Sequence, residues 1–343
     1  MIRLYTEADH DRWNDYVMKS EAASCYHLIE WKSVIERSFG HKTYYLLSES
    51  VTGIINGILP LVQLKSLLFG NYGVSLPFFN YGGICADNDE IRSQLLREAT
   101  KIARFQNMKH VELRHVQSSD NGLPVKMSKV SMRLLLPETA DTLWKSYPSK
   151  LRSQVKRPTK EGMFAKLGKE EELNSFYSIF AVNMRDMGTP VYSKAFFQNI
   201  LHAFPNTTWI ATVYTKDHVP VASGFLLGFK STLEIPWASS LRDYNKYSPN
   251  NLLYWSVLEF ACNQGYEVFD FGRSTPDEGT YKFKEQWGAK PTQLYWHYWI
   301  HNGGLLPELN PHNPKYELAI KLWRKLPLSL TKLIGPSIVK NLP

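Results

Sequence analysis

From residue 269 to residue 289 the chain reads FDFGRSTPDEGTYKFKEQWGA, and this stretch decides how the second half of the protein folds. It begins as an apolar strand and breaks at Gly272 into a turn that contains Ser, Thr, Pro and Asp. Arg273 lies in the turn, and Tyr281 and Lys284 follow it. Rigid scaffolds present chemistry on loops at strand ends, so the pattern predicts a functional site here.

Lys284 stands between Phe283 and Trp287 in this stretch. If both rings flank its side chain, the ammonium lies in a partly dry pocket. A positive charge in such a pocket stabilises a developing oxyanion far more strongly than it does in water. The alternative is a surface hairpin with solvated cations, which is the usual environment of lysine. The surrounding aromatic residues favour the pocket.

Hydrophobic periodicity predicts the same order of elements twice, namely two helices, antiparallel strands, a helix and a strand. This order indicates an α+β fold in two domains, 1–140 and 141–310, followed by an amphipathic tail at 311–343. The expected helices are 7–20, 27–39, 88–106, 170–187, 193–203 and 249–264. The expected strands are 43–48 and 57–64, paired as a hairpin, then 78–84, 110–115, 208–215, 221–229, 231–237 and 267–271.

A strong helix start signal precedes the helix at 249–264. Ser248 is placed to cap the helix and Pro249 to occupy its first position. The backbone N–H groups of Asn250, Asn251 and Leu252 would then be available to an anion such as a phosphate or an oxyanion. An ordinary capped helix without a ligand is the alternative.

Residues 149–160 form a cationic run with five Lys or Arg and no acid. Helical spacing places Arg152 beside Lys156, an arrangement that is repulsive without an anion. Together with Arg157 they predict a phosphate-binding strip, in which arginine would be the better clamp. A solvated linker helix is the alternative.

The segment 314–338 is basic and amphipathic, with Trp323 near its middle. Segments of this kind lie on anionic membrane surfaces or dock back on their own protein core. The sequence leaves both arrangements open.

Composition limits the choice of partner and compartment. The net charge of +8 over 343 residues favours phosphate-bearing partners without choosing among them. Three widely spaced cysteines predict neither a disulfide framework nor a metal site. The polar N-terminus and the lack of a long apolar run predict a cytoplasmic protein, with the tail as the candidate contact to the inner face of the plasma membrane.

Several blocks resemble the FemAB family of acyltransferases, and the resemblance covers essentially the whole chain. The blocks are YNKYSPNNLLYW at 244–255, DFGRSTP at 270–276, GTYKFKEQWGA at 279–289, MRDMGTPVYS at 184–193 and NYGG at 80–83. The resemblance implies two GNAT-like domains, each a mixed central sheet flanked by helices. Within the family the chain is most similar to the subgroup associated with exopolysaccharide and protein-sorting (PEP-CTERM) systems.

Members of the family move an acyl group, commonly an aminoacyl group from charged tRNA, onto an amine of a cell-envelope precursor. The resemblance implies that Lys284 of the FK motif stabilises the transferring carbonyl. It also implies substrate binding by residues of the matching blocks and of the basic junction. These residues are Arg152, Lys156, Arg157, Arg185, Tyr192, Asn250, Asn251, Ser274 and Trp287.

The donor expected from the resemblance is acyl-CoA or aminoacyl-tRNA, with no tightly bound cofactor and no metal. The chain lacks the long helical arm that some tRNA-using members insert, which leaves acyl-CoA or another activated donor open. In the expected reaction Lys284 stabilises the oxyanion, Arg273 and Tyr281 orient substrate or exchange a proton, and Asp270 or Glu285 is the base.

Two rival functions use the same residues differently. A non-catalytic module could use the cleft to bind a polysaccharide precursor or a membrane assembly. A tRNA-binding protein without transfer activity is the third hypothesis, and it predicts binding that falls steeply with salt. Loss of transfer on replacing Lys284 by alanine distinguishes the enzyme from both.

Overall fold

A computed structural model of the protein describes residues 1–67, 69–118, 122–304, 306 and 314–342. Its contacts divide the chain into two compact units. Unit 1 comprises Met1–Val130, Thr292–Leu309 and Lys340–Pro343, and unit 2 comprises Ser131–Pro291 and Asn310–Val339. The division is discontinuous, whereas the sequence analysis expected consecutive domains with boundaries at 140 and 310.

Unit 1 combines short strands with three helices. In chain order its first elements are β1 Ile2–Leu4, α1 His10–Lys19, α2 Glu30–Phe39, β2 Lys42–Thr43, β3 Leu46–Glu49, β4 Ile55–Leu59, β5 Val62–Ser66, β6 Gly70–Val74, β7 Cys85–Ala86, α3 Asp89–Phe105, β8 His110–His115 and β9 Val125–Lys126. The predicted helices α1, α2 and α3 are confirmed. Gly40 ends α2 with a positive φ of 69°, and the Asn88 side chain caps α3 through the Ile91 amide.

Unit 2 contains the larger sheet and most of the helices. Its elements are β10 Val130–Leu135, α4 Ala140–Ser146, α5 Ser149–Lys160, β11 Phe164–Gly168, α6 Leu173–Met187, α7 Lys194–Ala203, β12 Thr208–Tyr214, β13 Pro220–Phe229, β14 Thr232–Ser240, α8 Pro249–Asn263, β15 Val268–Ser274, α9 Gly279–Glu285 and β16 Lys290–Gln293. After β17 Tyr295–Ile300, which belongs to unit 1, the chain ends with α10 Pro314–Trp323 and α11 Leu328–Val339.

The strands of the described residues form three sheets. Two belong to the first unit and have the orders β1-β3-β4-β7 and β2-β5-β6-β8-β17-β9. The third has seven strands in the order β11-β12-β13-β14-β15-β10-β16. Antiparallel pairing predominates, but β6–β8 and β14–β15 are parallel pairs. This is the mixed α+β architecture with sheets flanked by helices that the sequence predicted.

Two predicted strands of unit 1 differ in the structure. The hairpin is present as β3 and β4, with Leu46 opposite Leu59, but the run predicted as 57–64 is interrupted at Pro60. Proline has no N–H to donate to a ladder, and β5 therefore continues in a different sheet. The strand predicted at 78–84 is wrong, since this segment is irregular and Phe78 has a positive φ of 75°.

Strand β17 explains why unit 1 is discontinuous. It pairs antiparallel with β8, with Trp296 opposite Arg114 and Tyr298 opposite Glu112. Residues 295–300 therefore complete a sheet of the first unit, although the sequence analysis assigned them to the second domain. Long-range pairing of this kind leaves no trace in local hydrophobic periodicity.

The tail docks on unit 2. Helix α11 packs on α6, and Gly335 lies so close to the Val191 backbone that a Cβ would come within 3.0 Å of the Val191 nitrogen. Trp323 and Thr331 are buried. The docking alternative is therefore correct for one side of the tail. The expected start of the tail at 311 lies outside the described residues.

Candidate active site

Strands β14 and β15 form a fork in the large sheet of unit 2. They pair in parallel over Thr232–Glu234 and Val268–Asp270, and both strands then continue beyond the last of these pairs. On its other side β14 has a register shift against β13, with Pro236 inside the irregularity. A bulge bends its strand. The bulge lies where the parallel pairing of β14 with β15 ends.

Lys284 lies at this fork. Its side chain is only 8% exposed. The Nζ donates to the carbonyl oxygen of Gly272 at 3.0 Å and to that of Arg273 at 2.9 Å. The stretch after β15 is not a hairpin, because residues 279–285 form the helix α9, and this helix carries Lys284 back towards the strand. The buried environment predicted for Lys284 is present.

Gly272 makes the double contact feasible. Successive carbonyls of a regular strand point to opposite edges, so one cation cannot reach two of them. Gly272 has a φ of 74°, a left-handed conformation that glycine adopts without steric cost. This local break in the strand turns the carbonyls of Gly272 and Arg273 towards the same ammonium.

Burial changes the proton affinity of Lys284. Loss of hydration lowers its pKa to about 8, and the nearby Arg273 cation acts in the same direction. The carboxylates of Asp270 and Glu234 oppose the shift. Lys284 is therefore still mainly a cation near neutral pH, but it loses its proton at a pH where ordinary lysines remain charged.

Asp270 anchors the base of the fork. Its Oδ1 accepts hydrogen bonds from Ser131 Oγ at 2.6 Å and from the Gly272 amide at 2.8 Å, and its Oδ2 accepts from Arg133 Nε at 3.1 Å. The carboxylate is almost fully buried. Because three donors hold it, Asp270 fixes the conformation of Gly272 and places a negative charge near Lys284.

Aromatic side chains wall the site on the α8 side. Tyr254 of α8 stacks on Phe271 at 5.5 Å between ring centroids and meets the edge of Phe283 at 5.1 Å. Trp287 is fully buried and contacts Tyr147 at 5.4 Å. These rings come from four segments, around Tyr147, Tyr254, Phe271 and 283–287, of which the sequence indicated only 283–287 as the surroundings of Lys284.

Buried polar atoms without a hydrogen-bond partner occur on the same elements. They are Ser274 Oγ at the end of β15, Asn251 Nδ2 in the first turn of α8 and Trp287 Nε1 after α9. Asn251 precedes Tyr254 by three residues and so lies one turn earlier on the same helix face. Unsatisfied buried groups are rare in folded proteins. These three groups are therefore polar atoms on the elements of the fork that a substrate could engage.

The start of α8 differs from the prediction. Pro249 does occupy the first helical position, but Ser248 has φ 61° and ψ 43° and its side chain makes no capping bond. The Asn251 amide donates to the Ser248 carbonyl at 3.0 Å, so it is not available to an anion. The predicted serine cap is therefore wrong, and the Asn251 side chain is the polar group left without a partner here.

The cationic run is the helix α5, which packs on α8 through Leu151 and Val155. Arg157 is exposed and Arg152 half-buried. Lys156 lies over the ring of Trp144 at 5.6 Å, and Trp144 contacts Trp255 at 4.6 Å.

A small cleft of 290 Å³ lies beside these rings and includes Asp141 and Glu259. Tyr147 contacts both Trp255 and Trp287. A continuous row of aromatic side chains thus connects the basic helix with the wall of the Lys284 site.

The other predicted residues take different positions. Arg185 forms an ion pair with its neighbour Asp186 at 2.7 Å. Tyr192 lies 6.3 Å from Trp237, which belongs to the diverging part of β14. Arg273 is exposed and Tyr281 half-buried, while Asn250 is half-buried at the start of α8. No contact brings Arg185 to Lys284 among the described residues.

A larger cleft of 560 Å³ lies next to Trp287. Glu285, Gln286 and Gly288 line it together with Tyr147 and residues 134–137. Glu285 is exposed to this cleft, in contrast to the enclosed Asp270.

Several contributors to the site were not expected from the sequence, among them Ser131, which donates to Asp270. Arg133 and Tyr147 lie on distant segments that only the tertiary structure brings to Asp270 and Trp287. Glu234 is an acid inside the apolar run of β14, and a buried charge in such a run was a signal that could have been used.

Comparison with known proteins agrees with the geometry. Residues 145–285 match the family described as acetyltransferase (GNAT) domain. The crystal structure of FemX is similar with a TM-score of 0.68 and 15% identity, covering 93% of this chain and all of that one. A tandem GNAT protein from the clavulanic acid biosynthesis pathway has a TM-score of 0.56 at 10% identity, covering 90% of this chain and all of that one.

One curated relative is the UDP-N-acetylmuramoylpentapeptide-lysine N(6)-alanyltransferase of Weissella viridescens. It is 24% identical over 149 residues. The alignment covers 42% of this chain and 44% of that protein, so the chain matches less than half of the relative's length.

Fold and site together define a protein with tandem GNAT-like folds, as the sequence predicted. The domain match is to the GNAT acetyltransferase family and covers residues 145–285, while the alanyltransferase and FemX are proteins that this chain is similar to. The exopolysaccharide subgroup stays a prediction.

Proposed function

We propose that the protein is an N-acyltransferase that moves an acyl or aminoacyl group onto an amine of a cell-envelope precursor. One observation carries the proposal, namely the buried ammonium of Lys284 held by two carbonyls at the fork of β14 and β15. The GNAT domain match covers every residue of this fork and supports acyl transfer as the class of reaction.

Lys284 acts on the carbonyl of the donor. An ammonium has three N–H donors, and two of them bind Gly272 and Arg273. The third donates to the oxygen that becomes negative when the acceptor amine attacks an ester or thioester. A fixed donor in a site of low dielectric needs no reorganisation during the reaction and therefore lowers the barrier.

The reaction forms one C–N bond and breaks one C–O or C–S bond. The attacking amine must lose a proton, which passes to a base, and the leaving oxygen or sulfur gains one. Asp270 is held by three donors, so we assign it a positioning role. The base is then the accessible Glu285, and Tyr281 and Arg273 orient the substrate.

Phosphate groups of the substrates are assigned to α5. Arg152, Lys156 and Arg157 lie on this helix, with Lys156 over Trp144. The GNAT match favours an acyl-CoA donor, whereas the named alanyltransferase relative favours an aminoacyl group and a peptidoglycan precursor as acceptor. Acyl-CoA and aminoacyl-tRNA are therefore the two donors to compare.

A transfer assay read by intact mass tests the proposal. Purified protein is incubated with UDP-N-acetylmuramoyl-pentapeptide and with an envelope-precursor extract, together with either an acyl-CoA mixture or alanyl-tRNA. We expect a product with one donor that Lys284→Ala loses and Lys282→Ala retains, because Lys282 is exposed on the same helix. Retention of a precursor without a product in any combination would support the non-catalytic binding module instead.

A further inference from the structure

The C-terminal tail has an outward side that the docking on unit 2 does not use. Leu318, Leu322 and Leu333 are each more than half exposed. In α10 the buried Trp323 and the packed Ile320 lie on one side, with Ile320 against Gly188. Helical geometry places Leu318 and Leu322 on the opposite side.

Helix α11 has the same division. Thr331, Gly335 and Val339 are buried at intervals of four residues and face unit 2. Leu333 stands opposite this row, and Leu330 lies beside it and is also exposed. Both tail helices therefore present leucine side chains to the outside while their inner faces fix the tail to the protein.

The outward leucines are accompanied by positive charge. Residues 314–342 contain six Lys or Arg and a single acid, Glu317. Lys321 and Lys325 are exposed, and Lys321 is adjacent to Leu322 in the chain. Exposed leucines next to lysines are typical of helices that lie in the interface of an anionic bilayer, with the leucines in the acyl boundary and the cations at the headgroups.

The positive charge of the tail also argues against a second copy of the chain as the partner that covers this surface. In a symmetric dimer the same patch faces itself, so the cations of one tail would face those of the other. Like charges brought together without counter-charge oppose such an interface. An anionic lipid surface has the opposite charge and accepts the leucines as well.

We propose that the outward side of α10 and α11 is a peripheral membrane-docking surface for anionic lipid. The leucines Leu318, Leu322, Leu330 and Leu333 insert at the acyl boundary, and Lys321 and Lys325 contact the lipid phosphates. The docked inner face makes this a rigid surface rather than a flexible anchor. The proposal does not depend on the transfer chemistry.

Vesicle co-sedimentation of the protein, residues 1–343, tests the proposed membrane-docking surface. Vesicles of phosphatidylcholine alone are compared with vesicles that also contain phosphatidylglycerol. We expect binding only to the anionic vesicles, with weakening as salt is added. Lys321→Ala with Lys325→Ala should weaken binding by about 25-fold, at about five-fold for each lysine. Leu318→Ser with Leu322→Ser should weaken it by about ten-fold or more.

Matched substitutions at exposed positions of unit 1 provide the control. Lys65→Ala with Leu67→Ser removes one exposed cation and one exposed leucine that do not belong to α10 or α11, and binding should not change. All substituted side chains are exposed, so folding is checked simply by comparing thermal transitions. Absence of sedimentation with anionic vesicles, or binding that the tail variants leave unchanged, would overturn the proposal. A dimer that the leucine variants disrupt, without lipid binding, would show that the surface serves a second copy.

Discussion

Replacing Lys284 by alanine should lower the rate of transfer by about 100- to 1000-fold, the usual cost of removing one oxyanion donor. The structure adds a pH dependence to this prediction, because burial lowers the pKa of Lys284 to about 8. With that pKa about nine tenths of the side chains are protonated at pH 7 and about one tenth at pH 9. The contribution of Lys284 to the rate of transfer should therefore fall about tenfold between pH 7 and pH 9.

The direction of this pH dependence shows which protonation state of Lys284 is active. If the ammonium is the active form, the contribution is present below a pH of about 8 and is lost as the pH rises through that value. If the neutral amine were the active form, as in a general base, the contribution would rise instead. The acceptor amine titrates in the same region, so the informative quantity is the ratio of wild-type to Lys284→Ala rates at each pH.

Single-turnover transfer measured by mass from pH 6.5 to pH 9.5 gives this ratio. Lys282→Ala is the matched control, because it removes one lysine charge from the same helix, α9, at an exposed position outside the fork. A ratio that stays constant or rises between pH 7 and pH 9 would refute the assignment of the ammonium as the oxyanion donor.

The pKa can also be measured without a substrate. Lysine with carbon-13 at the ε position gives an NMR signal that titrates with the amine, and comparison with Lys284→Ala identifies the signal. One lysine should titrate near pH 8, more than two units below an ordinary lysine. Titration of every lysine above pH 10 would contradict the buried environment of Lys284, whichever form of its side chain is active.

Three further predictions concern stability. Asp270→Asn should destabilise the protein by about 3 kcal/mol in denaturant unfolding, because the NH2 group that replaces one carboxylate oxygen cannot accept, either from Arg133 at one oxygen or from Ser131 and the Gly272 amide at the other; the exposed Asp277→Asn is the control, and an equal effect of both would contradict the anchoring role. Glu112→Gln should cost about 3–5 kcal/mol, since it removes the negative charge that lies 2.6 Å from the buried Arg114 cation; a change below about 1 kcal/mol would show that the pair is not needed. Burial holds the pKa of His115 well below its usual value, so the unfolded state binds more protons and the free energy of unfolding should fall as the pH drops below about 6.5; a flat profile between pH 7.5 and pH 5, or one unaltered by His115→Gln, would argue against this contribution.

Local signals in the sequence were sufficient for most helices and for β12, β13, β14 and β15 of unit 2, whereas β10, β11 and β16 were not predicted. The Asn88 cap of α3 and the Gly40 end of α2 are chemical features of single positions. Helix α8 begins at Pro249 as predicted, but Ser248 adopts a left-handed conformation instead of capping. Whether a serine caps a helix depends on the direction from which the preceding chain enters the helix. The residue type alone does not specify that direction.

Hydrophobic pattern failed where strands change sheets. The segment 78–84 is as apolar and aromatic as a strand, yet it packs as irregular chain with Phe79 buried against Tyr26 and Trp31. Apolar residues indicate that a segment is buried, but a buried segment does not have to form hydrogen bonds with a neighbouring strand. Likewise nothing in 295–300 shows that this strand pairs with β8 rather than with the sheet that precedes it in the chain.

By itself the sequence determined that Lys284 lies among aromatic residues after a strand, that the fold is α+β with GNAT-like domains, and that basic residues gather on α5 and on the tail. The tertiary structure decided which carbonyls receive the ammonium, that Asp270 is enclosed by Ser131 and Arg133, and which side of the tail remains exposed. The reason is physical. Residue type and spacing fix local conformation and burial tendency, whereas a pKa, a hydrogen-bond partner and an exposed face depend on segments that meet only when the chain folds.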